Sequence, residues 1–326
     1  MEFEFDEDQR LLQQSVRETL AKTQGLPEDQ LWAKYLELGW LEAPAVELAI
    51  VLEELGYIAD PTPFLATATW FAPLAGRLPD GAGTGVFDGA GRYVLDADRA
   101  DEIALLTSDG VRIVPGSELA TEPVPTFDHR LHIAHVFPGT VNGAPPSDSA
   151  LAAGVPDLAL MGLAVTTVGA CRRILDLVVA HVKQRHQFGV PIGSFQAVKH
   201  KAADMYVAIE RARALAYYSA LTIAEDDPRA ARAAHMAKAA AGECQEVVFA
   251  NGFQLFGAMA FTWEAEVQLY LKRVVAGDLL LGGAAVHRRA LLDDPELDNP
   301  ELDDPELDNT GLDNTGLDKT GQEVAA

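Results

Sequence analysis

Apolar residues recur every third or fourth position through residues 1–75, the spacing of helices with one buried face. Leu11, Leu12, Val16 and Leu20 share such a face, and Asp6 or Asp8 stands where a helix cap is needed. Pro27 opens a second helix carrying Leu31, Trp32, Tyr35 and Leu38. A third starts near Pro44, turns Leu48, Val51, Leu52 and Leu55 inward, and stops at Gly56. Pro61-Thr62-Pro63-Phe64 reads as extended, because the residue before each proline is pushed out of the helical region.

The pattern changes over residues 76–150. Gly, Pro and Asp alternate with short runs such as Gly91-Arg92-Tyr93-Val94-Leu95, Glu102 to Leu106, Val111 to Val114 and Leu131 to Val136. Four or five short strands joined by turns predict a small β domain. Residues 157–291 return to helix, rich in alanine and leucine. Breaks at Gly189 to Gly193, at Asp226-Asp227-Pro228 and near Gly257 predict four long helices in an up-and-down bundle. The expected fold is therefore mainly α with a small β domain. Residues 292–326 are acidic pentapeptides of the LDDPE and LDNTG type, too poor in apolar residues to offset chain entropy, and read as a disordered tail.

Charge narrows the function. The chain carries a formal −24, from 49 acids and 25 bases, a field that repels phosphate and argues against nucleic acid or an anionic membrane as partner. The uncharged stretch from Leu158 to Cys171 is too short to span a bilayer. Two cysteines and an acidic N-terminus without an export pattern fit a reducing cytoplasm.

Against that background, residues Arg172 to Lys201 hold six Lys/Arg and one acid, Asp176. Arg185 ends one predicted helix, and the next begins near Ser194 with free backbone N–H groups. An arginine beside a helix N-terminus makes an anion site. A basic helix C-terminus balancing its own dipole explains the same charges equally well. Other signals carry less. His181, His186 and His200 lack carboxylates at ligand spacing for a metal. Gly81 to Gly85 is not a dinucleotide fingerprint and reads as a loop. Ser194 has no His/Asp set, and Cys171 reads as core.

Arg185-His186-Gln187-Phe188-Gly189-Val190-Pro191-Ile192, followed by Phe195-Gln196-Ala197-Val198-Lys199-His200, resembles the signature of acyl-CoA dehydrogenases. Glu53 to Gly56 with Pro61 to Thr67, Thr126 to Arg130, and Gln254 to Ala258 resemble further segments of that family, in the same order. The resemblance implies a helical domain, a small β domain and a four-helix bundle, with FAD as cofactor. It implies that Arg185 pairs with the FAD pyrophosphate and that His186 and Gln187 line the same edge. Phe188 would pack on the adenine side, with Phe195 and Gln196 along the dinucleotide. Gln254, Leu255, Phe256, Gly257 and Ala258 would meet the FAD of an adjoining subunit through their backbone.

The departures from the family pattern carry the functional expectation. The family's base is a glutamate that takes a proton beside the thioester carbonyl; here Leu281 stands in its place. The alternative base position falls near Ala159. The nearest acids, Asp157 and Asp278, are better explained as helix capping or solvated residues. The β region also lacks the Thr/Ser-rich segment with a Gly-Ser pair that cradles the flavin ring. What the resemblance implies is thus a subunit of a heteromeric, α2β2 enzyme, similar to actinobacterial dehydrogenases of steroid side-chain CoA thioesters. A second subunit would supply the catalytic Glu, the ring pocket and the acyl-CoA site. Two alternatives remain at this level: a self-sufficient homodimer with Asp157 or Asp278 as base, and a flavin-free scaffold of the same fold.

Overall fold

The computed structural model describes residues 5–87, 93–107, 110–137 and 154–294. The predicted tail from residue 295 onward, and Gly91-Arg92 of one predicted strand, lie outside these residues.

Four helices come first: α1 (Glu7–Lys22), α2 (Glu28–Glu37), α3 (Ala45–Tyr57) and α4 (Phe64–Ala75). Asp6 caps α1 and exchanges hydrogen bonds with Gln9, satisfying two otherwise orphaned N–H groups. Pro27 and Pro44 precede α2 and α3, where a missing N–H costs nothing. Helix α3 is buried from Leu48 to Gly56, so it forms the centre of this layer rather than a surface helix.

Among the described residues the middle segment forms two three-stranded sheets. One has the order β1 (Gly83–Val86), β3 (Glu102–Thr107), β4 (Gly110–Pro115), with β1 parallel to β3 and Gly83 opposite Glu102. The other is antiparallel, with β6 (Ile133–Phe137) between β2 (Val94–Leu95) and β5 (Ala120–Pro123). Strand β1 corrects the expectation of a loop at Gly81 to Gly85. Its glycines lie against α4, where a Cβ on Gly83 would meet the Phe71 ring at 2.6 Å. Small residues there permit strand and helix to touch, which a reading by β-propensity misses.

The bundle consists of α5 (Asp157–Gln184), α6 (Gln196–Ala224), α7 (Ala230–Phe256), α8 (Val267–Leu279) and α9 (Ala284–Leu292). Three helices are long, and two short ones occupy the place of the expected fourth. The hairpin β7 (His186–Gln187) and β8 (Val190–Pro191) joins α5 to α6. By length and composition α5 could cross a membrane, but 72% of its most apolar window is buried inside the fold. It is the core helix. Gly169 of α5 packs on α3, where a Cβ would land on the Glu53 carbonyl, so the two helices cross at backbone contact. Cys171 is buried in this core, as is Cys244 on α7.

A polar knot ties the helical layers together. Glu53, fully buried on α3, accepts from Arg172 Nη1 at 2.6 Å, Arg213 Nε at 3.0 Å and Tyr217 Oη at 2.6 Å. Burial alone would raise its pKa, but Arg172, Arg213 and the Tyr217 hydroxyl hold it below the ordinary carboxylate value. Glu54 beside it accepts from Arg17 at 2.8 Å and Arg172 at 3.2 Å.

Candidate functional site

The hairpin between α5 and α6 builds the first half of the site. Arg185 leaves the helical path as the C-cap of α5, and its N–H closes on the His181 carbonyl. Its carbonyl accepts from Ile192 N–H at 2.8 Å, which folds the hairpin back over the start of α6. Phe188 and Gly189 both take left-handed backbone angles at the turn, with φ of 53° and 79°. Two consecutive residues of that kind make the tight reversal that short hairpins need. Phe188 is thrown outward, 92% exposed, and meets Phe195 edge to face at 6.2 Å.

Phe195 is the N-cap of α6, so the helix starts two residues later than Ser194, whose hydroxyl instead bonds the Pro191 carbonyl. The first described helical bonds of α6 are made by Val198 and Lys199, both to Phe195. The N–H groups of Gln196 and Ala197 are left for a ligand at the positive end of a 29-residue helix. Arg185, His186, Gln187, Phe188, Phe195 and Gln196 are all exposed on this corner. The Arg185 guanidinium makes no hydrogen bond or ion pair among the described residues. An exposed, unpaired arginine, free N–H groups and two aromatic faces are suited to a diphosphate flanked by a flat base.

The end of α7 joins the same corner. His181 of α5 stacks on Phe256 at 4.5 Å. Gln254, Gly257 and Ala258 are exposed; Leu255 is buried in the bundle core and offers only its backbone. Gly257 adopts φ 63° and ψ −144°, a combination that requires glycine.

The second half of the expected site lies elsewhere and is apolar. Leu281 follows α8 at φ 57° and packs with Leu280 against the β-sheet core, in the cluster that also contains Ala159 and Leu163 of α5. The two positions where the sequence resemblance expects a base, Leu281 and Ala159, therefore fall in one hydrophobic cluster, and both are apolar. The adjoining cavity, lined by Leu163, Leu280, Thr166, Asp96 and Arg99 among others, is about 50 Å³. That is room for one or two waters, whereas small-molecule sites run to several hundred Å³. Arg99 crosses this region, bonded to Asp96 at 2.5 Å and to the Pro61 carbonyl at 2.6 Å. Burial raises the Asp96 pKa to about 6 despite Arg99, and burial also raises Asp60 to about 6.

Neither Asp157 nor Asp278 lines that cavity. Asp278 accepts from Ala284 N–H at 3.0 Å and so caps the start of α9. Asp157 does not cap α5, a correction to the sequence reading: Pro156 occupies the N-cap, and Asp157 begins the helix, half-buried. Burial raises its pKa, and the nearby His235 opposes that rise.

The left-handed Leu281 is held by two buried residues that sequence reasoning missed. Lys238, 1% exposed, donates to the Asp278 carbonyl at 2.7 Å and the Gly282 carbonyl at 2.8 Å; burial lowers its pKa to about 8. His287 shares its Nε2–H between the Leu281 and Gly282 carbonyls, each at 3.1 Å. Its Nδ1 then accepts from His235 Nδ1–H at 2.9 Å. Burial first, then Lys238 and His235, push the His287 pKa down to about 4. An unfolded histidine takes up its proton near pH 6.5, the folded one only near 4, so this residue's contribution is complete above 6.5 and is lost on acidification toward 4. The buried Asp60 and Asp96 act with the opposite sign in that range, so the comparison is with a variant. Between pH 7 and pH 5, His287→Gln is expected to lose about 1 to 2 kcal/mol less unfolding free energy than the parent chain, measured by urea denaturation.

A family model described as the acyl-CoA dehydrogenase C-terminal domain matches residues 159–294. The acyl-CoA dehydrogenase IpdE2 of Mycolicibacterium smegmatis is 37% identical over 256 residues, covering 76% of this chain and 78% of the relative. The chain belongs to the acyl-CoA dehydrogenase family. Solved structures share its fold: the ChsE4-ChsE5 complex of Mycobacterium tuberculosis at TM-score 0.74 and 20% identity, over 91% of this chain and 99% of that one. The Tcur3481-Tcur3483 steroid ACAD variant aligns at 0.71 and 22%, over 88% and 97%. This acyl-CoA dehydrogenase is thus an oxidoreductase acting on acyl-CoA, with FAD as cofactor. Its residues fit that cofactor in part. The Arg185 corner has the charge and free N–H groups that suit the adenosine-pyrophosphate arm, while the apolar cluster around Leu281 and Ala159 offers no carboxylate.

Proposed function

We propose that this chain is the non-catalytic subunit of a heteromeric, α2β2 acyl-CoA dehydrogenase for a bulky acyl group, with a steroid side chain as the favoured class. It contributes the FAD arm site, and a partner subunit contributes the catalytic Glu, the ring pocket and the acyl-CoA site. One observation carries the reading: an open, unpaired Arg185 corner coexists with an apolar cluster at the positions where a base is expected. A chain decaying as a whole would have no reason to keep the first while losing the second. The likeness to the ChsE4-ChsE5 complex and to the Tcur3481-Tcur3483 steroid ACAD supports the heteromeric arrangement and the steroid class.

In this arrangement Arg185 and the Gln196 and Ala197 N–H groups hold a diphosphate by charge-assisted hydrogen bonds, and Phe188 and Phe195 shield the base beside it. FAD, when bound, would supply the hydride acceptor, and the proton would go to the partner's carboxylate. The task of this chain is to bind and orient. Expression alone is expected to give colourless, inactive protein. Co-expression with an acyl-CoA dehydrogenase subunit that carries the catalytic Glu is expected to give a yellow complex that dehydrogenates acyl-CoA. Activity from the chain alone would overturn the proposal.

A further inference from the structure

We propose that the cleft between the N-terminal helices and the bundle binds an amphipathic monocarboxylate, its head on Arg130 and its apolar body across the α1–α2 turn. The cleft has a volume of about 740 Å³, within the range of small-molecule sites, and lies where three parts of the chain meet. Leu20, Leu26, Leu31, Ile58 and Leu269 supply apolar surface. The Tyr57 and Tyr270 rings are fixed by Arg173, whose guanidinium sits 5.4 Å and 5.8 Å from their centroids.

The charges select an anion. The lining holds four arginines and three carboxylates, with Glu53 behind Arg172. Arg17 is taken by Glu54 at 2.8 Å, Arg172 by Glu53 and Glu54, and Arg173 by Glu266 at 2.6 Å. Asp176 accepts from the Tyr57 hydroxyl at 2.9 Å. Arg130 is left over. It is exposed, reaches only the Ile58 carbonyl at 3.3 Å, and pairs with no carboxylate among the described residues.

Arg130 also lines the 50 Å³ inner cavity, so it stands at the junction of the two spaces. On the far side Arg273 gives Nε to Asp128 and Nη1 to the Asp60 carbonyl at 3.2 Å. Its Nη2 is shielded from solvent and has no hydrogen-bond partner. In the cleft itself the exposed Arg130 guanidinium, with donors left unused, fits the two oxygens of a carboxylate, and one such group fits a monoanion. No residue of this cleft belongs to the Arg185 corner or to the Leu281 turn, and although Arg130 and Pro61 also line the inner cavity, binding of a carboxylate to the isolated chain can be read apart from the function proposed above.

Isothermal titration of the full-length chain with octanoate, octanol and acetate tests the assignment. Octanoate is expected to bind one to one, octanol at least tenfold more weakly, and acetate not detectably. Arg130→Gln, on an exposed side chain, should weaken octanoate about tenfold or more and leave octanol unchanged. Leu26→Asp should weaken both. Equal affinity for acid and alcohol, an Arg130→Gln variant that binds octanoate as the parent does, absence of saturable binding, or displacement of octanoate by ADP would each overturn the proposal.

Discussion

Arg185→Ala is expected to weaken FAD retention by the assembled enzyme about a hundredfold, while the fold of the chain is unchanged. Charge-assisted hydrogen bonds to a phosphate contribute roughly 2 to 3 kcal/mol, and the loss of one arginine forfeits them together. Stability should stay within about 0.5 kcal/mol, because the exposed side chain has no described partner to strand. Arg185→Lys should recover part of the affinity, since a lysine restores the charge without the two-pronged geometry. Equilibrium dialysis of FAD against the complex gives the affinity, and circular dichroism checks the fold. An Arg185→Ala complex that holds FAD as tightly as the parent would remove Arg185 from the site.

The largest stability effect is expected at Glu53. Removing its carboxylate leaves Arg172 and Arg213 facing each other without their shared partner and strands the buried Tyr217 hydroxyl. Truncating one member of a buried ion-pair network costs about 3 to 5 kcal/mol. The lower end applies here, because the two arginine side chains remain 22% and 28% exposed and Arg172 keeps Glu54. Glu53→Ala should therefore lower the melting temperature by roughly 6 to 10 °C. Glu53→Gln, which still accepts from Tyr217, should lose less. A variant within about 1 °C of the parent would show that the knot does not hold the layers together.

The helical elements were legible because their punctuation is local. Asp6, Pro27, Pro44 and the Asp226-Asp227-Pro228 turn each act within a few residues of themselves. Strand β1 was not, because Gly83 faces the Phe71 ring and Gly85 the Trp70 backbone carbonyl, which no local pattern records. The arm corner was legible as a motif with a charge anomaly, and its residues do gather at one end of the bundle. Leu255 turns its side chain into the core and leaves only its backbone at this corner. The Glu53 knot and the Lys238 and His287 clamp were missed. Each left a signal in hindsight, a pair of glutamates inside an otherwise apolar helix and a lysine within an alanine run. Charged residues at core positions demand partners, but the partners lie more than 100 residues away for Glu53 and some 40 for Lys238. The apolar cluster around Leu281 likewise draws side chains from all three layers, and only their packing reveals it.

Counting flavin per chain decides whether two polypeptides divide one site. Purified complex, with its subunit ratio fixed by mass and its FAD quantified by absorbance at about 450 nm after release, should contain a single flavin for each pair made of this chain and its catalytic partner, and this chain purified alone should contain none. Stoichiometric flavin on the isolated chain, or two flavins per pair of subunits in the complex, would show that this chain seats a ring of its own.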